Sequence, residues 1–388
     1  MPAAASPHRV ALVGFLSLAI AMGVGRFAFT PLLAMMREDG LVTVSEGGVI
    51  AAVHFLGYWL GALVAAAVPV APRTMLRLSL GVIGLVTLSM GLFDDLVAWA
   101  ILRGVCGVAS AWVRVFVGSH FVRALTAAEA ASYHGLVFSG VGGGIALVGL
   151  ACLLFMVEGI ASPESWGWIG GISLVGAIAI SVRFGSELPV SRIPSIRGPG
   201  QRSPLNWLLI IAYGTAGLGY TVPATFLPVM ARDLIGDPLV YGWSWPVFGI
   251  AACLSTVLAA AVQRRYTNRQ VWAVSQLAMA LGVVLPMAVP GMTAVILSGV
   301  FVGGTFMIIT MVGMKEAHRT APEADVMRHI AMMTAAFATG QMIGPLLGSA
   351  LYDAYGGFGP TLALTGGALA ITACLLFLGM AREEVPQP

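Results

Sequence analysis

The chain has 388 residues, of which 58% are hydrophobic and 10% charged, with a formal charge of +3 and a mean hydropathy of +0.92. A soluble domain carries roughly 25% charged residues, so a water-bounded globule is excluded and most of the apolar surface must face lipid. Four cysteines without CxxC spacing or a His/Cys cluster give no sign of a disulfide scaffold or a metal site.

The first apolar run follows His8-Arg9 and has the charge pattern of a secretory signal. It continues through Ala34 and has a full-length copy later in the chain, so it reads as a retained span. A spanning helix needs about 20 mostly apolar residues. Such runs are predicted at 10–36, 46–69, 74–93, 96–119, 131–157 and 166–184, then at 205–231, 239–262, 270–289, 291–314, 327–352 and 358–380. They are continuous rather than alternating, which excludes β-barrel strands. The segment between the sixth and seventh runs holds Arg192, Arg197 and Arg202 among four prolines. That density of proline and charge predicts a semi-extended strap outside the lipid.

Lysine and arginine sort strongly by side. With the N-terminus in the cytosol, fifteen fall in cytosolic segments, and only Arg37 and Arg232 fall outside. The positive-inside bias therefore predicts both termini in the cytosol.

The chain also repeats itself. At an offset of 194, Gly25–Asp39 lies over Gly219–Asp233; at 195, Ile101–Val105 lies over Ile296–Val300; at 200, Gly140 and Gly144 lie over Gly340 and Gly344. The expected fold is all-α: twelve transmembrane helices in two pseudosymmetric six-helix bundles, 1–184 and 205–388, joined by a basic linker at 185–204.

This arrangement resembles the major facilitator superfamily across nearly its whole length. Arg103-Gly104-Val105-Cys106-Gly107 in span 4 resembles the superfamily's Arg-x-x-x-Gly motif. Gly23-Val24-Gly25-Arg26-Phe27-Ala28-Phe29-Thr30-Pro31 resembles the first helix of its YbfB/YjiJ-like branch, and Phe138–Gly144 fits that branch too. The resemblance implies the major facilitator fold, with spans 1, 4, 7 and 10 around a central cavity. The loop between spans 2 and 3 departs from the superfamily pattern, having no acid between Gly61 and Arg73; neither does 263–269, so the acid–base latch of that motif is in question.

Charges at membrane depth are expensive, by at least about 2.5–3.5 kcal/mol each, which makes them functional candidates. Arg26 lies in span 1; Arg103 and Arg114 lie in span 4. At about 100° per residue, Arg103, Gly107, Ser110 and Arg114 share one narrow stripe, expected to face the cavity. His54 and Tyr58 share a face of span 2, and Thr30 flanks Arg26. Tyr213, Gly217, Tyr220 and Ala224 share a face of span 7 and are expected to form an amphipathic wall.

The two halves differ in charge at matched positions. Arg26 aligns with Tyr220, His54 with Phe248, Arg103 with Ser298 and Arg114 with Ile309. All 17 acidic residues fall outside the interiors of the predicted spans, which disfavours a cation site. Arg26 alternatively binds carbonyls where Pro31 breaks the backbone.

The expected substrate-binding set is Arg26, Thr30, His54, Tyr58, Arg103, Ser110, Arg114, Tyr213 and Tyr220. The expected function is secondary transport of a small organic solute, anionic by this reasoning, by alternating access. A proton on His54 or on the solute is a candidate coupling ion. An exporter of amphiphilic drug-like compounds and a non-transporting membrane sensor are the alternatives. Stripes of small residues in span 5 (Gly135, Ser139, Gly142, Ala146, Gly149) and span 11 (Gly340, Gly344, Gly348) are expected to serve as static packing or as smooth contacts between rocking halves. No enzyme motif is present; Gly140–Gly144 lies within a span, where a dinucleotide loop has no strand to follow. No cofactor, metal or nucleic-acid partner is expected, and the expected setting is a monomer in a bacterial-type inner membrane.

Overall fold

The structure is a computed structural model that describes residues 6–65, 70–183, 204–263, 265–289, 291–322 and 325–383. The described residues contain twelve helices long and apolar enough to cross a membrane, and no strand. The first six are α1 (Pro7–Glu38), α2 (Val44–Val64), α3 (Arg73–Leu92), α4 (Leu96–Ala127), α5 (His134–Val157) and α6 (Ser162–Val182). The second six are α7 (Trp207–Leu234), α8 (Pro238–Ala259), α9 (Asn268–Ala288), α10 (Met292–Thr320), α11 (Val326–Tyr355) and α12 (Gly359–Gly379). The expected linker at 185–204, with Arg192, Arg197 and Arg202, lies outside the described residues except for Pro204. So do residues 66–69 of the second predicted span.

Most predicted spans agree with these helices to within a few residues. The clear departures are α4, which runs to Ala127 rather than 119, and α10, which runs to Thr320 rather than 314. Hydropathy ends where charge begins, but a helix can continue past the lipid boundary with Arg123, Lys315 or Arg319 on its surface. Helix starts are set by local chemistry instead. Thr43 and Glu46 form a reciprocal capping box ahead of α2, Thr267 and Gln270 do so ahead of α9, and the Asp95 carboxylate accepts from the amides of Val97 and Ala98.

An even number of crossings puts both described chain ends on one side, here termed the termini face. Large apolar side chains such as Leu63, Leu85, Ile101, Leu147, Ile172, Leu254, Val274 and Leu378 are exposed around the helices. That belt is stable only against hydrocarbon.

The sequence repeat becomes a spatial one. Gly140 of α5 lies against the Phe15 carbonyl of α1, and Gly340 of α11 against the Gly214 carbonyl of α7. One turn on, Gly144 meets Ala19 and Gly23, while Gly344 meets Leu218 and Thr221. Gly107 of α4 lies on the His54 carbonyl of α2, and Gly303 of α10 on that of Phe248 in α8. Each half thus uses a glycine to bring two backbones to a distance that any Cβ would block.

Two seams between the halves are lined by glycine. Along α5 and α8, Gly142 abuts the Cys253 amide and Gly249 abuts Ala146. A Cβ on Gly149 would sit 2.7 Å from the Pro246 nitrogen, whereas one on Gly135, near the termini face, would clear Thr256 and Val257 by 3.7 Å. The seam therefore tightens toward the opposite face. Along α2 and α11, Gly48 meets Ser349 and the Pro345 carbonyl. The two glycine stripes are consequently not equivalent. The α5 stripe runs between the halves, but Gly340, Gly344 and Gly348 of α11 pack on Gly214, Leu218, Thr221 and Phe226 of α7 inside one half. Of the two readings of the α11 stripe, packing within one half is the one these contacts fit, and its mate in the repeat is the α1-facing side of α5.

Candidate functional site

The site begins with a fault in α1. The helix is regular over Pro7–Leu18, widens into a π-helical stretch at Ala19–Val24, and becomes α-helical again at Phe29–Glu38. The amides of Gly25 and Phe27 reach back five residues, to Ile20 (2.8 Å) and Met22 (2.9 Å). Pro31 has no N–H, and the Phe27 carbonyl receives Thr30 N–H at 3.4 Å instead. Carbonyls freed in this way must be paired in a medium without water. Helix α4 supplies the donors. Arg103 gives Nη1 to the Gly25 carbonyl (2.6 Å) and Nη2 to the Arg26 carbonyl (3.0 Å), and Cys106 Sγ donates to the Gly25 carbonyl (3.1 Å). The carbonyl-binding role considered for Arg26 belongs to Arg103.

With that role filled, the Arg26 side chain is left without an acceptor. It is 6% exposed, and its Nε and Nη2 are buried with no hydrogen-bond partner. Four aromatic rings enclose the guanidinium: Phe27 and Phe55 with centroids at 4.9 Å, Tyr58 at 5.5 Å and Tyr220 at 5.7 Å. Three of these rings come from the N-terminal half and Tyr220 from the C-terminal half. Cation–π contact contributes roughly 0.5–2 kcal/mol per ring, but ring faces accept no strong hydrogen bond from Nε and Nη2. Among the described residues, the charged neighbours that act on Arg26 through space are Arg103 and Arg114, with no carboxylate beside them.

The rest of the expected set divides by what each side chain already does. His54, 1% exposed, holds the Arg103 carbonyl through Nδ1 at 3.1 Å. It shares with Arg26, Phe29, Thr30, Arg103 and Thr225 the lining of a cavity of about 10 Å³, room for about one water. Ser110 lies against Gly25, its hydroxyl 2.6 Å from where a Cβ would stand. Arg114 is half-buried, and acts through space on both Arg26 and Tyr213. The Arg103–Arg114 stripe thus faces α1 and α2 for most of its length, because Gly107 and Ser110 are consumed by packing.

On α7, Tyr220 accepts a hydrogen bond from Gln341 and stacks between Phe306 (5.3 Å) and Phe337 (5.6 Å). Tyr213 is turned into its own half, its hydroxyl donating to the Thr310 carbonyl at 3.3 Å. Tyr220 and Ala224 face the N-terminal half, whereas Tyr213 and Gly217 pack on α10 and α11. Phe27 and Phe55 were not singled out from sequence. Phe27 adjoins Arg26 in an obvious motif, but Phe55 sits one residue from His54, off the face that periodicity selects.

Comparison with known proteins agrees with this architecture. The family model described as "Uncharacterised MFS-type transporter YbfB" matches residues 18–377. The chain belongs to that family. It is therefore a transporter rather than an enzyme, and its fold is the major facilitator fold. No curated protein matches the chain. Among solved structures, this MFS-type chain is similar to a point mutant of the nucleoside transporter NupG, with a TM-score of 0.73, 13% identity, and coverage of 96% of this chain and 99% of that one. NupG itself gives 0.71 and 14%, covering 98% and 99%. A bacterial homologue of the human lysosomal transporter Spinster, inward-facing and unoccupied, gives 0.73 and 12%, covering 96% of each chain.

This MFS-type fold is closed at the face opposite the termini. Thr30 Oγ1 donates to the Ala224 carbonyl at 2.5 Å. These residues are 194 apart, the offset of the sequence repeat, so pseudosymmetric positions meet each other. Beyond them, Arg37 pairs with Asp233 (3.1 Å) and Arg232 with Glu38 (3.6 Å), while Tyr241 donates to Glu38 (2.9 Å). Arg37 and Arg232 are the two exceptions to the positive-inside bias, and both are used here to clasp one half to the other.

A second ionic cluster lies at the termini face. Arg269, at the start of α9, pairs with Glu316 near the end of α10 at 3.1 Å, and Glu316 also receives Arg319 at 2.7 Å. Glu316 is fully buried. The acid missing from 263–269 is thus supplied from another helix.

Proposed function

We propose that the chain carries a small organic anion by alternating access between its two bundles, with Arg26 as the anion-binding group. The observation that supports this is the Arg26 guanidinium: mid-span, dehydrated, caged by rings of both halves and lacking an acceptor for two nitrogens. A buried charge is costly unless paired, and an arginine fork is suited to a carboxylate or a similar planar anion. Arg103 and Arg114 add positive potential at Arg26. The nucleoside cargo of one structural neighbour is not carried over, because a cationic cage favours a charged solute.

In this reading the orientation is termini inward, in a bacterial-type inner membrane, on the strength of the lysine and arginine bias. The clasp at Thr30, Arg37, Glu38, Arg232 and Asp233 is then the outer gate, and the solute is exchanged from the cytosolic side. Any coupling proton travels on the solute or on His54, since Glu316 is committed to Arg269 and Arg319.

The test uses purified protein in proteoliposomes, with matched panels of organic acids and organic cations. Acids should be taken up and should raise the thermal stability of the protein in detergent, and Arg26→Ala should weaken them at least about 100-fold. Cation uptake that survives Arg26→Ala would instead establish a drug exporter. Binding without flux of any compound would establish a sensor.

A further inference from the structure

The reading of Arg26 as the anion site is the premise of a sharper statement about the substrate. His54 Nδ1 lies 3.1 Å from the Arg103 carbonyl oxygen. A carbonyl only accepts, so in the neutral ring the proton is on Nδ1 and Nε2 carries the lone pair. Nε2 is buried and has no hydrogen-bond partner. Arg26 has the opposite need: its buried Nε and Nη2 are donors without an acceptor. Both residues line one cavity with room for about one water, and Arg26 acts on the imidazole through space.

A simple carboxylate meets the need of Arg26 and sets oxygen lone pairs against the lone pair of Nε2. One water can serve both residues in the closed cavity, so a solute that takes its place meets both needs only if it likewise carries an acceptor and a donor side by side. The fold does not impose this combination, because the matched positions of the other half are Tyr220 and Phe248, both absorbed in aromatic stacking. The geometry points to an organic anion with a hydroxyl or N–H group beside its anionic group, a 2-hydroxy carboxylate being the simplest member. The anionic group takes Arg26, and the neighbouring hydroxyl donates to His54 Nε2. Arg103 is the positioning residue for both, holding the Arg26 backbone through Nη2 and the His54 ring through its carbonyl.

The experiment compares matched pairs, lactate with propionate and mandelate with phenylacetate, by thermal shift and proteoliposome uptake on the full chain. Leaving a buried acceptor unpaired should weaken the member that lacks the hydroxyl roughly 5- to 150-fold. His54→Phe copies the residue at the matched position of the other half, and should equalise each pair by lowering the affinity of the hydroxylated member toward that of its partner. His54→Gln is the second variant, and should keep part of the preference through its amide oxygen. Equal binding of the pair members by the wild type, abolished by Arg26→Met, would overturn this inference and leave the anion reading standing. Indifference to every acid, or to Arg26→Met, would overturn the anion reading itself. The wild-type comparison decides the matter even where a His54 variant does not fold.

Discussion

Two arginines in adjacent helices look alike in the sequence and have opposite standing in the structure. Arg103 has its Nη groups bonded to the carbonyls of Gly25 and Arg26, whereas Arg26 has nitrogens with nothing to bond. Their substitutions should therefore move stability in opposite directions. Arg103→Leu leaves the buried Arg26 carbonyl unpaired, at about 1–3 kcal/mol, and the Gly25 carbonyl with only the Cys106 thiol, and should lower the thermal midpoint in detergent. Arg26→Met removes an uncompensated buried charge and should raise the midpoint, by on the order of 1 kcal/mol, while abolishing ligand binding. A fall of similar size for both variants would mean that Arg26 is structural. The candidacy of Arg26 was legible because a lone charge in an apolar run is conspicuous. Its lack of a partner was not, since that depends on which arginine reaches the α1 carbonyls first, and on rings such as Phe55 and Tyr220 that approach from other helices.

At the scale of elements, hydropathy located all twelve helices but not the fault within α1, because a π-helical stretch is as apolar as the turns around it. Nor could it pair Arg269 with Glu316, which meet only when the start of α9 packs against the end of α10. Removing one member of so buried a pair costs about 3–5 kcal/mol. Glu316→Ala should accordingly lower the yield of monodisperse protein and its thermal midpoint. Restoration of both by the added change Arg269→Leu would assign the loss to the broken Arg269–Glu316 pair. The clasp at the opposite face is different in kind, because its side chains are partly exposed: 17% and 33% for Arg37 and Asp233, 28% and 45% for Arg232 and Glu38. Such pairs contribute about 0–1 kcal/mol, small enough to break in each turn of the proposed alternating-access cycle. Arg37→Ala should raise labelling of Thr225→Cys by an impermeant thiol reagent from that face by up to about fivefold. The swap of Arg37→Asp with Asp233→Arg should return it toward the original rate.

For the molecule as a whole, the glycines of the α5–α8 seam set how closely the halves can approach. Gly142 touches the Cys253 amide, with no room for a Cβ, so Gly142→Val should hold the seam apart. Uptake is expected to fall at least about tenfold, with ligand binding retained. Full uptake in this variant would show that the seam is static packing. Membrane residence, helix count, the repeat and the charge asymmetry between halves could all be read from the chain alone. Each follows from the transfer free energy of short stretches or from matching the chain against itself, and neither requires knowing what touches what. The tertiary structure alone decided which charges are spent and which are free. It joined Thr30 to Ala224 and Arg37 to Asp233, residues about half the chain apart, because a pseudo-twofold arrangement brings matched ends of α1 and α7 together. It also left Arg26 between the halves with donors unmet. In a medium without water, that imbalance is the physical ground on which Arg26 is proposed as the anion-binding group.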